Sequence, residues 1–122
     1  MLPLTALDSV LPIAQGGIAS RPLLDLPGGT KVVLFALDGG QEISAHTAPF
    51  PAELTLLDGM LEVQVGERVE PLGAHGLVRL PAGTSHALRA MVPSHALLVM
   101  RRGAKAEEQG CSGRGNCHSQ VL

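Results

Sequence analysis

Turn-forming residues interrupt this chain at short intervals from Gly16 to Pro93, and that spacing constrains the fold more than any other feature. Gly16-Gly17, Pro27-Gly28-Gly29, Asp38-Gly39-Gly40, Asp58-Gly59, Gly66, Gly73, Pro81-Ala82-Gly83 and Pro93 leave no room for a long helix between them. What lies between them are short apolar or alternating runs, at residues 31–37, 54–57, 61–65, 69–72, 77–80, 86–90 and 96–100. In residues 61–65 the alternation is strict: Leu61, Val63 and Val65 share one face, Glu62 and Gln64 the other. Many short strands at this spacing predict an all-β antiparallel sandwich or barrel. Asp58-Gly59, set between two apolar runs, predicts a tight hairpin.

The chain has 122 residues, a length that fits one domain. Hydrophobic residues make up 45% and charged residues 16%, a balance that excludes a disordered chain. Trp and Tyr are absent and the only aromatics are Phe35 and Phe50, so Leu, Val, Ile, Ala and Met must build the core. Net charge is −2, with neither a basic stripe nor an aromatic platform, which argues against a nucleic-acid partner. Asp8, Gln15, Arg21 and Asp25 break up the N-terminal stretch, so no apolar run reaches membrane-spanning length and no membrane partner is expected. The first twenty residues contain no Lys or Arg, hence no basic start to a signal peptide, and a cytoplasmic protein is expected. Cys111 and Cys117 both lie near the C-terminus, where they give no disulfide framework to the rest. Composition shifts at Arg101, which divides the chain into a domain at residues 1–100 and a polar, Gly-rich tail at residues 101–122.

Two segments resemble the paired motifs of the cupin superfamily. In the first, Gly40 is followed after five residues by His46, and Gly59 closes the segment. In the second, Pro81-Ala82-Gly83-Thr84-Ser85-His86 matches the motif's Pro-x-Gly-x-x-His centre. The resemblance covers residues 31–100 and implies a small single-domain cupin with a jelly roll, or double-stranded β-helix, of two packed antiparallel sheets. That agrees with the strand pattern read independently.

In metal-binding cupins, two His and a Glu of the first motif and one His of the second hold the metal. Here His46 and His86 keep two of those positions, while Ala48 takes the second His position. The Glu position, counted back from Gly59, falls on Ala52, with Glu53 one place later. Strand alternation puts Glu53 on the face opposite Leu54, pointing away from a pocket unless a bulge at Pro51 resets the phase. In the second motif His75 takes the initial Gly position and Ala90 the Asn position. His75 and His95 are expected near the barrel end opposite His86, as surface or rim histidines.

The resemblance therefore marks one pocket with His46 and His86, holding a divalent transition metal (zinc, iron, manganese or nickel) and a small organic ligand. Phe50 follows His46 closely enough to line the pocket mouth or plug the core, and Glu53 is the candidate general base. Arg79 and Arg89 flank the second motif, as anion contacts or as solvated strand-face residues. Cys111, Cys117 and His118 form an alternative metal site in the tail, set against a plain reading as exposed thiols. Two function classes follow: a metal-dependent oxygenase or isomerase, or a metal-free binding or sensing module. Exposed strand edges and high aliphatic content make a homodimer the expected assembly.

Overall fold

The computed structural model describes residues 7–103. After a single helical turn, α1 (Leu7–Val10), nine strands follow among the described residues: β1 (Ile18–Asp25), β2 (Thr30–Leu37), β3 (Glu42–His46), β4 (Ala52–Asp58), β5 (Met60–Val65), β6 (Arg68–Gly73), β7 (Leu77–Leu80), β8 (His86–Ala90) and β9 (Ser94–Arg101). They form an antiparallel five-stranded sheet, in the order β1-β2-β9-β4-β7, and an antiparallel four-stranded sheet, in the order β3-β8-β5-β6. The all-β antiparallel sandwich predicted by the turn spacing, and the jelly roll implied by the resemblance, are the observed architecture. Among the described residues no helix is long and apolar enough to cross a membrane.

Strand alternation decides which residues fill the space between the sheets. Ala52, Leu54 and Leu56 of β4 stand opposite Met100, Leu98 and Ala96 of β9 and share the inner face with them. On the facing sheet Leu61 and Val63 of β5 stand beside Ala90 and Leu88 of β8. Of these, all but Leu88, Leu98 and Met100 join Leu37 and Leu80 in one cluster of buried aliphatic residues, and those three pack half-buried against it. The aromatic-poor composition thus yields a core of Leu, Val and Ala, with Phe35 only half-buried against it.

Two strands escape the sequence pattern. β1 contains Arg21, Pro22 and Asp25, is exposed along nearly all its length, and changes register against β2 between Pro22 and Leu24. Pro is tolerated there because an edge strand need not donate outward. β3 carries a single bulky apolar residue, Ile43, and so shows no alternation to read.

The hairpin expected at Asp58-Gly59 does not form. β4 belongs to the five-stranded sheet and β5 to the four-stranded one, so Gly59 turns a corner between sheets. Its φ of 96° lies in the left-handed region, and an added Cβ would stand 2.1 Å from Ser94 Oγ and 2.7 Å from Pro93 O. Asp58 does not serve the turn either; its carboxylate accepts from the His95 backbone N–H at 2.8 Å. The two-residue hairpin lies instead at Gly66-Glu67, where Val65 pairs with Arg68 and Gly66 takes the positive φ of 60° that such a loop requires.

His75 explains a departure from the motif. It is the one non-glycine residue with positive φ, 72°, among the described residues, and its N–H donates to Leu56 O at 2.7 Å. A glycine in the motif's first position takes this conformation freely, whereas His75 holds it under strain.

Gly59→Ala is expected to destabilise the protein by ~3 kcal/mol, because it adds both left-handed strain and a steric clash. His75→Gly is expected to stabilise it by ~0.5–1 kcal/mol, after the extra chain entropy of glycine is subtracted. Urea unfolding midpoints of the two variants against wild type check both signs.

Candidate functional site

His46 and His86 meet because of an irregularity in how β3 pairs with β8. Ile43 stands opposite Leu88 and His46 opposite His86, so β3 takes three steps where β8 takes two. In a regular strand an odd step count would turn His46 to the outer face. The extra residue restores the phase and returns His46 to the side occupied by Ile43. On β8, His86 shares its face with Leu88 and Ala90 by plain alternation. A second tie fixes the approach to His86: the Gly83 N–H of the Pro81-Ala82-Gly83 turn donates to Ala48 O at 2.8 Å. The two motif segments are thereby joined by backbone as well as by their histidines.

The imidazoles pack edge to face, with ring centroids 4.3 Å apart and an interplanar angle of 69°. His46 Nδ1 lies 2.9 Å from Ser44 O, and His86 Nδ1 lies 3.3 Å from Thr84 O. A carbonyl oxygen only accepts, so each Nδ1 carries the ring's proton and donates it there. The two Nε2 atoms stand 3.1 Å apart, within hydrogen-bond distance of each other. Two lone pairs at that distance repel unless a proton or a metal cation sits between them. His86 is buried and His46 exposed. Burial pushes the His86 imidazole below its ordinary 6.5, positive charge on His46 pushes the same way, and the Thr84 carbonyl works against both.

This donor pair fits a divalent metal. Two nitrogens bound about 2.0–2.1 Å from one zinc ion at the tetrahedral angle stand ~3.3 Å apart, close to the observed separation. Among the described residues no group of three or more His, Cys, Asp or Glu side chains comes together. From the described residues, an ion here would take two imidazoles.

Beside His46 lies a cavity of ≈150 Å³. Phe35, Leu37, Leu54, Ala96 and Leu98 wall it from the five-stranded sheet, and Ile43 and Leu88 from the four-stranded one. His46 is the one polar residue among those walls. The sequence pattern places Phe35, Leu54, Leu88 and Leu98 in strands without marking them as pocket walls. Ile43 lay in a strand the pattern missed.

The other candidates fall elsewhere. Phe50 is half-buried and is not one of the cavity's walls. Glu53 is buried on the outer face of the five-stranded sheet, because no bulge at Pro51 resets β4, and Arg101 Nε donates to its Oε1 at 2.9 Å. That ion pair leaves it on the far side of the sheet from the cavity, out of place for a general base. Arg79 borders a separate cleft of ≈420 Å³ between β6 and β7 that includes neither histidine of the pair. Arg89 is exposed and its guanidinium reaches Met91 Sδ at 3.5 Å. Cys111, Cys117 and His118 lie outside the described residues.

Of the two histidines expected at the surface, His75 is exposed, but His95 is 2% exposed. Its Nδ1 lies 3.0 Å from Asp58 Oδ1 and its Nε2 lies 2.8 Å from Leu11 O. Burial is possible there because a carboxylate and a carbonyl satisfy both ring nitrogens. The residue anchors the N-terminal segment to β9 and takes no part in the pair.

No family model matches the chain, and no curated protein matches it. Solved structures do. A conserved protein of unknown function from Streptococcus pyogenes is 30% identical, with a TM-score of 0.76, over 83% of this chain and 88% of that one. A cupin superfamily protein from Desulfitobacterium hafniense is 17% identical, with a TM-score of 0.74, over 82% and 94% of the two chains. An RmlC-like cupin from Desulfovibrio desulfuricans is 20% identical, with a TM-score of 0.71, over 84% and 97%.

The lowered His86 value has a consequence for stability. As pH falls below 6.5, the unfolded chain takes up this proton before the folded one does, so folding is progressively disfavoured. Above 6.5 the contribution is fully present. Long-range proton–nitrogen correlation spectra of metal-free protein are expected to show His86 titrating below 6.5. Unfolding free energy should decline over the same acid range, and less steeply in His86→Gln.

Proposed function

The chain has the cupin fold, and on that premise we propose that it binds a divalent transition metal through His46 and His86 together with a small organic ligand. The observation that carries this reading is the pair of Nε2 atoms converging at 3.1 Å with both Nδ1 protons committed to backbone carbonyls. In that state neither ring offers a proton to the other, and a shared cation removes the repulsion between them.

His46 and His86 would hold the ion. When bound, it supplies a Lewis-acidic centre that can polarise an oxygen of the ligand. Ser44 and Thr84 carbonyls keep each ring in the tautomer that presents Nε2. The walls on both sheets shield the ligand's apolar part from water. Two imidazoles make a weaker site than the three protein ligands of a usual catalytic centre, so retention of the metal depends on the organic ligand or solvent completing its shell.

The lack of a third donor among the described residues favours a second reading, a metal-free module in which the pair shares a proton and the cavity alone selects the ligand. Metal content separates the two. Protein purified without an affinity tag and equilibrated with zinc is expected to hold close to one ion per chain, with the ion lost in His46→Ala/His86→Ala. Less than about a tenth of an ion per chain in wild type and variant alike would contradict the metal reading. Metal that survives the double substitution and disappears when the chain is cut after Lys105 would assign binding to the tail.

A further inference from the structure

The cavity beside His46 carries information about which organic ligand fits. Its volume is ≈150 Å³, and of its walls only His46 is polar. An apolar cavity of about this size, lined by Leu, Ile and Phe, excludes water and accepts a benzene-sized guest. Phe35, Leu54, Ile43 and Leu98 give the same kind of lining here. Such a space is too small for two fused rings, and it offers a sugar no partners for its hydroxyls, which would be buried unpaired.

The polar end of the cavity has an equally definite character. That end is His46, whose Nδ1–H is spent on Ser44 O, so its Nε2 is left as an acceptor. A carboxylate brought against that acceptor in an apolar setting would be repelled unless a metal were already there. A hydroxyl suits both states: its O–H donates to Nε2 in the metal-free protein, and its oxygen can ligate an ion held by the pair.

We infer that the site takes a monocyclic, phenol-like molecule, with a single benzene-sized ring filling the apolar cavity and one hydroxyl directed at His46, the cavity's polar wall. The placement of the hydroxyl rests on the function proposed above; the size limit rests on the cavity alone. Ala96 is the position that controls the size limit. It is 1% exposed, lies on the cavity wall, and its methyl leaves space that a larger side chain would take.

Calorimetric titrations with phenol and with naphthol, on chelator-treated and on zinc-loaded protein, test this. Wild type is expected to bind phenol about tenfold or more tightly than naphthol in both states. Ala96→Leu is expected to weaken phenol binding about tenfold while zinc binding stays within about twofold, since the substitution fills the cavity and leaves the histidines in place. If Ala96→Leu does not fold, Leu98→Ala supplies the converse arm: the widened cavity is expected to admit naphthol and erase the preference for phenol. Equal binding of phenol and naphthol by wild type overturns the inference, as does a folded Ala96→Leu protein with unchanged phenol binding. Zinc bound at the pair with no phenol binding in either state overturns it while leaving the metal reading intact. Selective phenol binding without zinc uptake supports the size limit and counts against the metal reading alone.

Discussion

Successive side chains of a β-strand point to opposite faces, and in a two-sheet sandwich one of those faces must be apolar. Every functional feature of this molecule follows from where that rule is kept and where it is broken. On β8 it is kept, and it puts His86 in line with Leu88 and Ala90. On β4 it is also kept, and it sends Glu53 to the outer face to pair with Arg101. On β3 it is broken once, between Ile43 and His46, and the extra residue brings the second imidazole to the first. Without that irregularity the fold would stand and the pair would not exist.

The parts of the fold that alternation controls were readable from the sequence. Residues 77–80 and 86–90 coincide with β7 and β8, and the apolar runs within β2, β4, β5, β6 and β9 are displaced by only a few residues. β1 and β3 were not readable, because an exposed edge strand and a strand with one bulky apolar residue have no buried face to imprint a pattern. Asp58-Gly59 misled for a different reason. The dipeptide has the chemistry of a tight turn, but nothing local distinguishes a hairpin from a corner at which the chain changes sheet. What decides it is the close approach of Ser94 and Pro93 to Gly59, a contact made by residues far along the chain.

The site divides in the same way. His46 and His86 could be singled out by motif resemblance, yet their tautomers could not, since these depend on the Ser44 and Thr84 carbonyls. The burial of His95 likewise depends on Asp58 and on Leu11, 84 residues away along the chain. Phe50 follows His46 closely in sequence, but nearness along the chain carries no direction, and Phe35 is the aromatic residue that walls the cavity. The substitutions at Ala48 and Ala52 matter most. They stand at two ligand positions of the resemblance, and among the described residues the cavity keeps one polar wall, His46, against hydrocarbon.

A cation shared by the two Nε2 atoms would carry both imidazoles in its shell. X-ray absorption at the zinc edge of stoichiometrically loaded, full-length protein reads the shell directly. Two imidazole ligands at about 2.0–2.1 Å are expected, with the remaining positions filled by oxygen. A shell without imidazole, or one containing sulfur at about 2.3 Å, would contradict the shared cation.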